Sequence, residues 1–341
     1  MYTKYLVSSS PHIASRKTTK NIMIDVVISL IPCMIASILI YGFNPLFNVM
    51  LATVGSTAGE SIYSLMRKRR NTIEDWSAIV TGVILGLNLP PAIPFYMPVI
   101  GGIFATLIVK MLFGGIGRNF ANPAITARIF LLLAWGASMT AYVAPIDLSK
   151  GFSEMFRYVG LSTSEIADLT SATPLSYLKD GNYGAVSNLD LFLGRIGGSA
   201  GEVCAIAVLI GFVYLYVRRI IDAKIPVIFV ATAALCALAF YGDVNMILPT
   251  VLSGGLLFGA VFMATDYATS PNTPWGVVIY AVGCGFLTVL FRKFGRMPEG
   301  VSFAILIMNI VTPLLDKYIY PRPFGYKRPK KVKPAKEECA K

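Results

Sequence analysis

This 341-residue chain has a single histidine and no closely paired cysteines, and it therefore lacks the usual ligands of a metal centre. The chain has one histidine, His12, and five cysteines, none of them in a Cys-x-x-Cys pair. Structural zinc and iron–sulfur sites need clustered thiolate or imidazole ligands. The sequence therefore predicts no metal centre and predicts that each cysteine is a small core residue. Any electron carrier held by the chain is expected to be organic.

Charged residues are scarce as well, and their scarcity excludes an ordinary soluble enzyme. They make up 14% of the chain, whereas hydrophobic residues make up 55%. Soluble domains carry about 25% charged residues. The mean hydropathy of +0.65 points the same way. These values predict a membrane-embedded protein, and the length leaves room for about ten spans of ~20 residues.

The charge that is present is mostly positive and clustered. The net charge of +12 comes mainly from residues 4–20, 67–70 and 317–341. Beside apolar spans, such clusters indicate topology signals and anchors for anionic lipid rather than a nucleic-acid surface. The first apolar run, residues 22–41, is long enough to span and lacks a small-residue cleavage site, so no cleavable signal peptide is expected.

Apolar stretches between glycine, proline and charged residues predict an all-α integral membrane protein with about ten transmembrane helices. The predicted helices are residues 22–42, 45–65, 76–90, 97–113, 123–143, 202–222, 224–241, 246–265, 275–291 and 300–316. The basic clusters then fall on one side, which the positive-inside rule makes cytoplasmic. Both termini are predicted to be cytoplasmic.

These spans divide the chain into two halves of opposite orientation. The predicted regions are a cytoplasmic arm (1–21), a first five-helix repeat (22–143), an extracytoplasmic loop (144–201), a second five-helix repeat (202–316) and a basic cytoplasmic tail (317–341). Five spans on either side of an outside loop are the arrangement of an inverted repeat. The basic sequence around Arg292 then lies outside, and we expect it to be tucked into the protein.

Two polar segments stand out at the ends of apolar spans. Asn119 and Asn122 lie three residues apart, just before a helix that Pro123 opens. Two amides and a helix N-terminus can bind a polar ring system or an anion. The alternative is a glycine turn with asparagine caps. Asp266 closes a later span and either serves an ion path or a cofactor, or ends the helix at the headgroups.

Isolated charges within the spans have several interpretations. Glu60 lies deep in the second span, where a charge costs ~2.5–3.5 kcal/mol, so it is expected to face the bundle interior and to be a candidate for an ion path. Lys110 and Arg128 lie nearer helix ends and are expected to extend to the interface. Asp25 and Glu202 are interpreted as first-turn acids of their helices.

One polar stretch of the outside loop carries a candidate modification site. It reads Asp168-Leu-Thr-Ser-Ala-Thr-Pro-Leu175. Its alternative interpretation is an ordinary Ser/Thr-rich turn. The stretch resembles the flavinylation motif of the bacterial Rnf and Na⁺-translocating NADH:quinone oxidoreductase complexes. In that motif a flavin transferase esterifies FMN, through its phosphate, onto the last threonine, here Thr173. Asp168 precedes Thr173 by five residues, where the family pattern has six.

Further short motifs extend this resemblance over most of the chain. They are residues 9–13, 87–91, 114–123, 263–267 and 298–304. In order and spacing they resemble landmarks of the Rnf D subunits, from about residue 8 to 326. They resemble the B subunit of the NADH:quinone enzyme more loosely, and the short N-terminal arm fits the Rnf subunits better.

The resemblance implies a fold and a set of cofactors. It implies two inverted five-helix repeats similar to urea transporters, covalent FMN on Thr173, and a non-covalent riboflavin near Asn119 and Asn122. Asp266 matches a family acid of structural or ion-linked role. The implied partners are a second FMN-bearing subunit, iron–sulfur subunits, an NADH-binding subunit, and a flavin transferase for maturation.

The function implied is one-electron transfer across a bacterial cytoplasmic membrane. It would occur within a ferredoxin:NAD⁺ oxidoreductase complex that moves Na⁺ or H⁺, because this chain alone has no nicotinamide-binding fingerprint. A solute channel or secondary transporter is the alternative, since an inverted repeat suits it equally. A quinone-reducing relative is a second alternative.

Overall fold

Helices and the turns that join them make up the part of the chain that can be described. In the computed structural model the described residues are 18–68, 72–147, 151–160, 165, 169–171, 173–179, 187–295 and 300–319. The β-type contact among them is an antiparallel bridge between Val143 and Thr170. The all-α prediction is confirmed for these residues. The region before residue 18, Arg69, Arg70, Asp168 and the chain beyond 319 lie outside them.

The helices follow one another along the chain with short connections. They are α1 (Thr19–Tyr41), α2 (Asn44–Arg67), α3 (Ser77–Leu87), α4 (Tyr96–Ile103), α5 (Pro123–Ala134), α6 (Gly136–Met139), α7 (Pro174–Lys179), α8 (Asn188–Leu193), α9 (Ala205–Val217), α10 (Lys224–Tyr241), α11 (Ile247–Leu252), α12 (Leu256–Phe258), α13 (Pro274–Phe294) and α14 (Val301–Tyr318). Helix α4 continues as a π-helix over Phe104–Met111, and α12 continues as one over Gly259–Met263. Single 3₁₀ turns lie at Ile73–Asp75, Phe152–Phe156 and Val244–Met246.

Local sequence signals explain where several helices begin and end. The side chain of Thr18 accepts a hydrogen bond from the Asn21 amide and caps α1, which ends at Gly42 with a φ of 79°. Pro274 opens α13 behind the capping hydroxyl of Thr273. Hydroxyl caps, a first-turn proline and a terminal glycine are common helix boundaries because they satisfy or remove unpaired backbone groups.

Each of the ten segments predicted to span contains a helix, although several helices are shorter than predicted. Four helices (α1, α10, α13 and α14) are long and apolar enough to cross a membrane by themselves. The 244–252 and 256–263 helical segments, bent by 65°, form a fifth if they are one broken span. Helices α3, α5 and α9, and α4 with its π extension, are apolar but shorter. The described chain is therefore a bundle of apolar helices, several of them broken.

The predicted helices 123–143 and 202–222 were both too long. The first breaks at Trp135, after which only the four-residue α6 follows. The second begins at Ala205, because the preceding residues are hydrogen-bonded elsewhere: the amides of Ala200 and Gly201 donate to the carbonyls of Leu89 and Leu87, at the end of α3. The segment that leads into α9 therefore reaches into the bundle before its helix starts.

Glycines allow α2 to approach its neighbours closely. A Cβ at Gly102 of α4 would overlap the carbonyl oxygen of Ala52 on α2, and one at Gly86 of α3 would overlap the Cα of Val49. Small residues at such crossings let helix backbones meet in apolar surroundings, where association depends on packing. Helices α2, α3 and α4 therefore form a closely packed layer, and these helices carry several of the buried polar side chains.

The expectation that the basic sequence at the end of α13 is tucked inward is confirmed for Arg292, whereas Arg296 lies outside the described residues. The side chain of Arg292 is buried, and its guanidinium donates to the backbone carbonyls of Thr250 and Ser253. These carbonyls lie at the C-terminal end of α11, where the chain bends before α12. A cation there satisfies carbonyls that have no partner within the helix. Arg292 thus stabilises the break between the two half-helices.

Candidate functional site

A cleft lined by both halves of the chain brings together four of the residues that the sequence singled out: Asn119, Asn122, Asp266 and Lys110. The space within it is about 830 Å³, open solvent at its mouth included. Apolar side chains from α1, α3, α9 and the second π-helix form most of its wall: Ile22, Val26, Val80, Ile84, Leu215 and Phe262. The polar residues in the wall include Ser77, Lys110, Asn119, Asn122 and Asp266. Apolar walls with a few convergent polar groups are typical of a site for a small organic ligand.

Asn122 is a structural clamp as well as a lining residue. Its Oδ1 accepts hydrogen bonds from the amides of Ala124 at 3.0 Å and Ile125 at 3.5 Å, which caps α5. Its Nδ2 donates to the carbonyl of Met263 at 3.1 Å, at the end of the second π-helix. The predicted alternative of an asparagine cap is therefore confirmed for this residue. Because its amide joins α5 to residue 263, Asn122 holds two walls of the cleft together.

Asn119 and Asp266 form a second polar corner of the same cleft. The carboxylate of Asp266 accepts from the amide of Ala268 at 3.3 Å and from the hydroxyl of Thr269 at 3.1 Å, so it organises the turn after the second π-helix. The side chain of Asn119 lies beside the same carboxyl group. Its Nδ2 also donates to the carbonyl of Ala121 at 3.0 Å. The corner offers hydrogen-bond acceptors and donors to a ligand.

Both π-helical segments of the described chain contribute residues to this cleft. The first carries Lys110. Its wider turns show in the backbone hydrogen bonds: the amides of Leu112 and Gly115 donate to carbonyls five residues earlier. The second carries Val261 and Phe262, and the amide of Ala264 donates to Gly259 in the same way. π-helical turns are rare and are found often at functional sites, where they turn side chains away from the α-helical register.

Lys110 does not extend to the membrane surface, so that prediction was wrong. It is buried, and its Nζ donates to Glu60 Oε2 at 2.9 Å and to Ser77 Oγ at 2.7 Å. Glu60 is completely buried, as predicted, and also accepts a hydrogen bond from the hydroxyl of Thr72. Opposite charges inside a membrane protein pair because an isolated one costs several kcal/mol. The pair joins α2, α3 and the first π-helix.

Arg128 was also wrongly predicted to extend to the interface, and Glu202 is not a first-turn acid. The guanidinium of Arg128 donates to Glu202 Oε1 at 2.7 Å, and both side chains are buried. Glu202 precedes α9 by three residues, within the segment that is hydrogen-bonded to the end of α3. Arg128 also donates to Asn88, Ser199 and Ser302. This cluster joins the two halves of the chain.

Asp25 lies in the second turn of α1 rather than the first, because α1 begins at Thr19. Its carboxylate accepts from the hydroxyl of Tyr214 at 2.9 Å and from the guanidinium of Arg218 at 3.1 Å. These contacts tie α1 to the end of α9. The tie lies close in sequence to the wall residues of the cleft on those two helices, Ile22, Val26 and Leu215.

Thr173 lies apart from the cleft, at the start of the short helix α7. Its side chain is half-buried, and its carbonyl accepts from the amide of Ser176 at 3.0 Å. Upstream, the amide of Ser171 donates to the carbonyl of Tyr142 at 2.7 Å, and downstream Leu175 is buried. Thr173 is thus held on a segment that is anchored on both sides. Asp168, and with it the shortened spacing, lies outside the described residues.

A small cavity lies beside Thr173. Its lining includes Thr173, Leu175, Ser199, Glu202 and Gly254, and it shares no residue with the cleft. The structure therefore brings Asn119, Asn122 and Asp266 together, links Glu60 to them through Lys110, and leaves Thr173 at a second location. Sequence reasoning missed the role of Lys110: opposite charges in two apolar spans favour a buried pair, but the spans that carry Glu60 and Lys110 are the second and the fourth, so they are not adjacent along the chain.

Similarity to known proteins covers almost the whole chain. Residues 6–325 match the NQR2, RnfD, RnfE family. The chain is 42% identical over 330 residues to the D subunit of the Na⁺-translocating ferredoxin:NAD⁺ oxidoreductase complex of Acetobacterium woodii, covering 95% of this chain and 96% of that protein. It is 36% identical over 338 residues to the D subunit of the proton-translocating ferredoxin:NAD⁺ oxidoreductase complex of Clostridium ljungdahlii, covering 95% and 97%. The D subunit of the ion-translocating oxidoreductase complex of Citrobacter koseri is 32% identical over 349 residues, covering 95% and 99%.

Proposed function

Because the chain belongs to the NQR2, RnfD, RnfE family, we propose that it is the membrane electron-transfer subunit of an Rnf-type ferredoxin:NAD⁺ oxidoreductase that translocates Na⁺ or H⁺. The observation that carries the proposal is the match over 95% of this chain to subunits named for that reaction. The two relatives differ in the named ion, so the similarity supports ion translocation rather than one ion. The proposed location is the bacterial cytoplasmic membrane.

We propose that Thr173 bears FMN through a phosphoester bond. Two features support this site: its side chain is half-buried rather than enclosed, and its backbone is anchored by its neighbours on both sides. A hydroxyl is a suitable nucleophile toward a phosphoryl group once a transferase activates it. Pro174 follows directly and starts α7, so the threonine stands at the boundary between loop and helix.

The cleft fits the proposed riboflavin in its chemistry. An isoalloxazine ring is flat and largely apolar, with acceptor and donor atoms along its edges. The walls contributed by Ile22, Leu215 and Phe262 suit the apolar faces, and Asn119 and Asp266 suit the polar edge. The protein's part in flavin chemistry is binding, orientation and electrostatics, whereas a bound flavin supplies the one-electron chemistry.

The residues of this chain have three tasks in that reaction. The apolar walls exclude water from the ring, which strengthens every polar contact inside the cleft. Asn122 keeps α5 and the carbonyl of Met263 at a fixed separation, and the tie from Asp25 to Arg218 joins α1 to the end of α9. A cleft with fixed walls favours electron transfer, because the protein around a bound ring then rearranges little when the ring is oxidised or reduced.

The proposed architecture is ten crossings in two inverted five-helix repeats, similar to urea transporters. The ten helical segments, the bent 244–263 segment and the four apolar helices too short to cross unaided support this arrangement, since broken helices are typical of inverted-repeat membrane proteins. Both termini would be cytoplasmic and Thr173 extracytoplasmic. The proposed partners are the remaining subunits of the complex, including those that bind ferredoxin, NADH, iron–sulfur clusters and a second FMN, together with a flavin transferase.

In-gel fluorescence tests the covalent flavin directly. The chain is produced together with an active flavin transferase, denatured, separated by electrophoresis and viewed under ultraviolet light. We expect a fluorescent band that disappears in Thr173→Ala, because denaturation releases a non-covalently bound flavin but leaves a covalently attached one on the chain. Thr163→Ala is the matched control, since it removes another threonine of the same loop that lies outside the motif, and it should remain fluorescent. A dark wild-type band beside an active transferase would favour the alternative function of a solute channel or transporter.

A further inference from the structure

Lys110 is a buried cation in the wall of the cleft. It has no task in the electron-transfer role proposed above. Among the described residues that line the cleft, it is the basic one and Asp266 the acidic one. It lies in a π-helical segment, which gives its side chain a direction that an α-helix would not. A structural ion pair alone would not need to border a ligand cavity.

The hydrogen bonds of Lys110 orient its ammonium group. An ammonium has three protons to donate. Glu60 takes one at 2.9 Å and Ser77 takes another at 2.7 Å. Ser77 itself lines the cleft, so the bonded Nζ lies at the cleft wall. The third proton is then left for an acceptor in the cleft. Glu60 is completely buried and accepts from Thr72, so it is fixed in place as the counter-ion.

We propose that Lys110 is the residue that sets the redox potential of a flavin in this cleft, by donating to the oxygen and nitrogen acceptors at one edge of the ring. This inference rests on the proposed binding of riboflavin there. A flavin that gains electrons becomes richer in negative charge at its N1 and C2 carbonyl edge, and a nearby ammonium in water-poor surroundings stabilises that charge. Lys110 therefore favours the reduced ring over the oxidised one, while Glu60 and Ser77 act as positioning residues.

The simpler interpretation is that the pair only fastens α2, α3 and the first π-helix to one another. Lys110 also lines a smaller cavity with Thr72 and Asp75, which such a fastening would explain equally well. The two interpretations differ in what they predict for binding. A fastening affects oxidised and reduced flavin alike, because it acts through the shape of the cleft. A cation at the ring edge affects the two forms differently.

The experiment measures riboflavin affinity in both oxidation states. All proteins carry Thr173→Ala, so that the covalent flavin is absent from this chain, which is purified within its complex. The test variant is Lys110→Met with Glu60→Gln, which removes both charges and leaves no unpaired carboxylate. Lys110→Arg keeps the charge and serves as the matched control. Riboflavin is titrated anaerobically, first oxidised and then reduced, and the riboflavin that the complex binds beyond its resident flavins, measured by equilibrium dialysis, gives two dissociation constants.

We expect the neutral pair to weaken binding of reduced riboflavin at least about tenfold more than binding of oxidised riboflavin. Lys110→Arg should keep the two affinities in nearly the parent ratio. An equal loss for both forms, or no change in either, would overturn the role of Lys110 and leave the proposed riboflavin intact. A parent protein that retains no extractable riboflavin and binds none on titration would instead contradict the riboflavin proposal itself. The two failures are therefore distinguishable.

Discussion

At the scale of single residues, the interior of this chain is organised by charges that find partners far away in sequence. Lys110 pairs with Glu60 at a separation of 50 residues, and Arg128 pairs with Glu202 at a separation of 74. The sequence predicted that Glu60 faces the interior but assigned both basic residues to the membrane surface. Partners so distant leave no local pattern, so neither pair could be inferred from spacing or periodicity.

The Arg128 and Glu202 pair gives a stability prediction at this scale. Removing one member leaves a buried charge unpaired, so Arg128→Met should destabilise the chain by about 3–5 kcal/mol. The double variant Arg128→Met with Glu202→Gln should recover most of the loss, because no lone charge remains. Thermal unfolding in detergent, followed by circular dichroism, measures both. Equal melting temperatures for the single variant and the wild type would contradict the pairing.

At the scale of elements, the sequence predicted which segments are helical much better than how those helices are built. Every predicted span contains a helix, because the length and hydrophobicity of an apolar run can be read directly from the sequence. The two π-helical segments and the bend near Ser253 were not predicted. They depend on side chains that reach in from other helices, such as Arg292 at the bend and Asn122 at Met263. The candidate site was predicted at Asn119, Asn122 and Asp266, whereas its basic residue was not.

The close layer of α2, α3 and α4 gives a prediction at this scale. Gly102→Ala places a methyl group against the carbonyl of Ala52, and overpacking of this kind costs about 1–3 kcal/mol. Gly136→Ala is the matched control, because a Cβ there has nothing within 4 Å. We expect a lower melting temperature for the first variant and an unchanged one for the second. Equal stability of the two would show that α2 and α4 can separate without loss.

At the scale of the whole molecule, the proposed topology sets the two ends of the electron path on opposite sides of the membrane. It makes the loop containing Leu189 extracytoplasmic and the turn containing Arg219 cytoplasmic. Both residues are exposed, so each can report its own side. The prediction rests on the distribution of basic residues, which sets orientation through the positive-inside rule.

Labelling of single cysteines tests this topology. In a chain whose five native cysteines are replaced, Leu189→Cys should react with a membrane-impermeant maleimide in intact cells. Arg219→Cys should react only after the membrane is made permeable. Labelling of both from outside would require an even number of crossings between them, against the single crossing by α9 that the topology predicts. A mass-shift assay on the purified chain gives the labelled fraction for each.

The separation of Arg128 from Glu202 also has a consequence for how the protein is made. The chain leaves the ribosome from its N-terminus, so Arg128 emerges 74 residues before its counter-ion. At about 5–20 residues per second, this delay is roughly 4 to 15 s. Lys110 has no such delay, because Glu60 precedes it. Helix α5 thus carries a guanidinium without its counter-ion until the second half begins to emerge. The final assembly of the first half is therefore timed by the synthesis of the second.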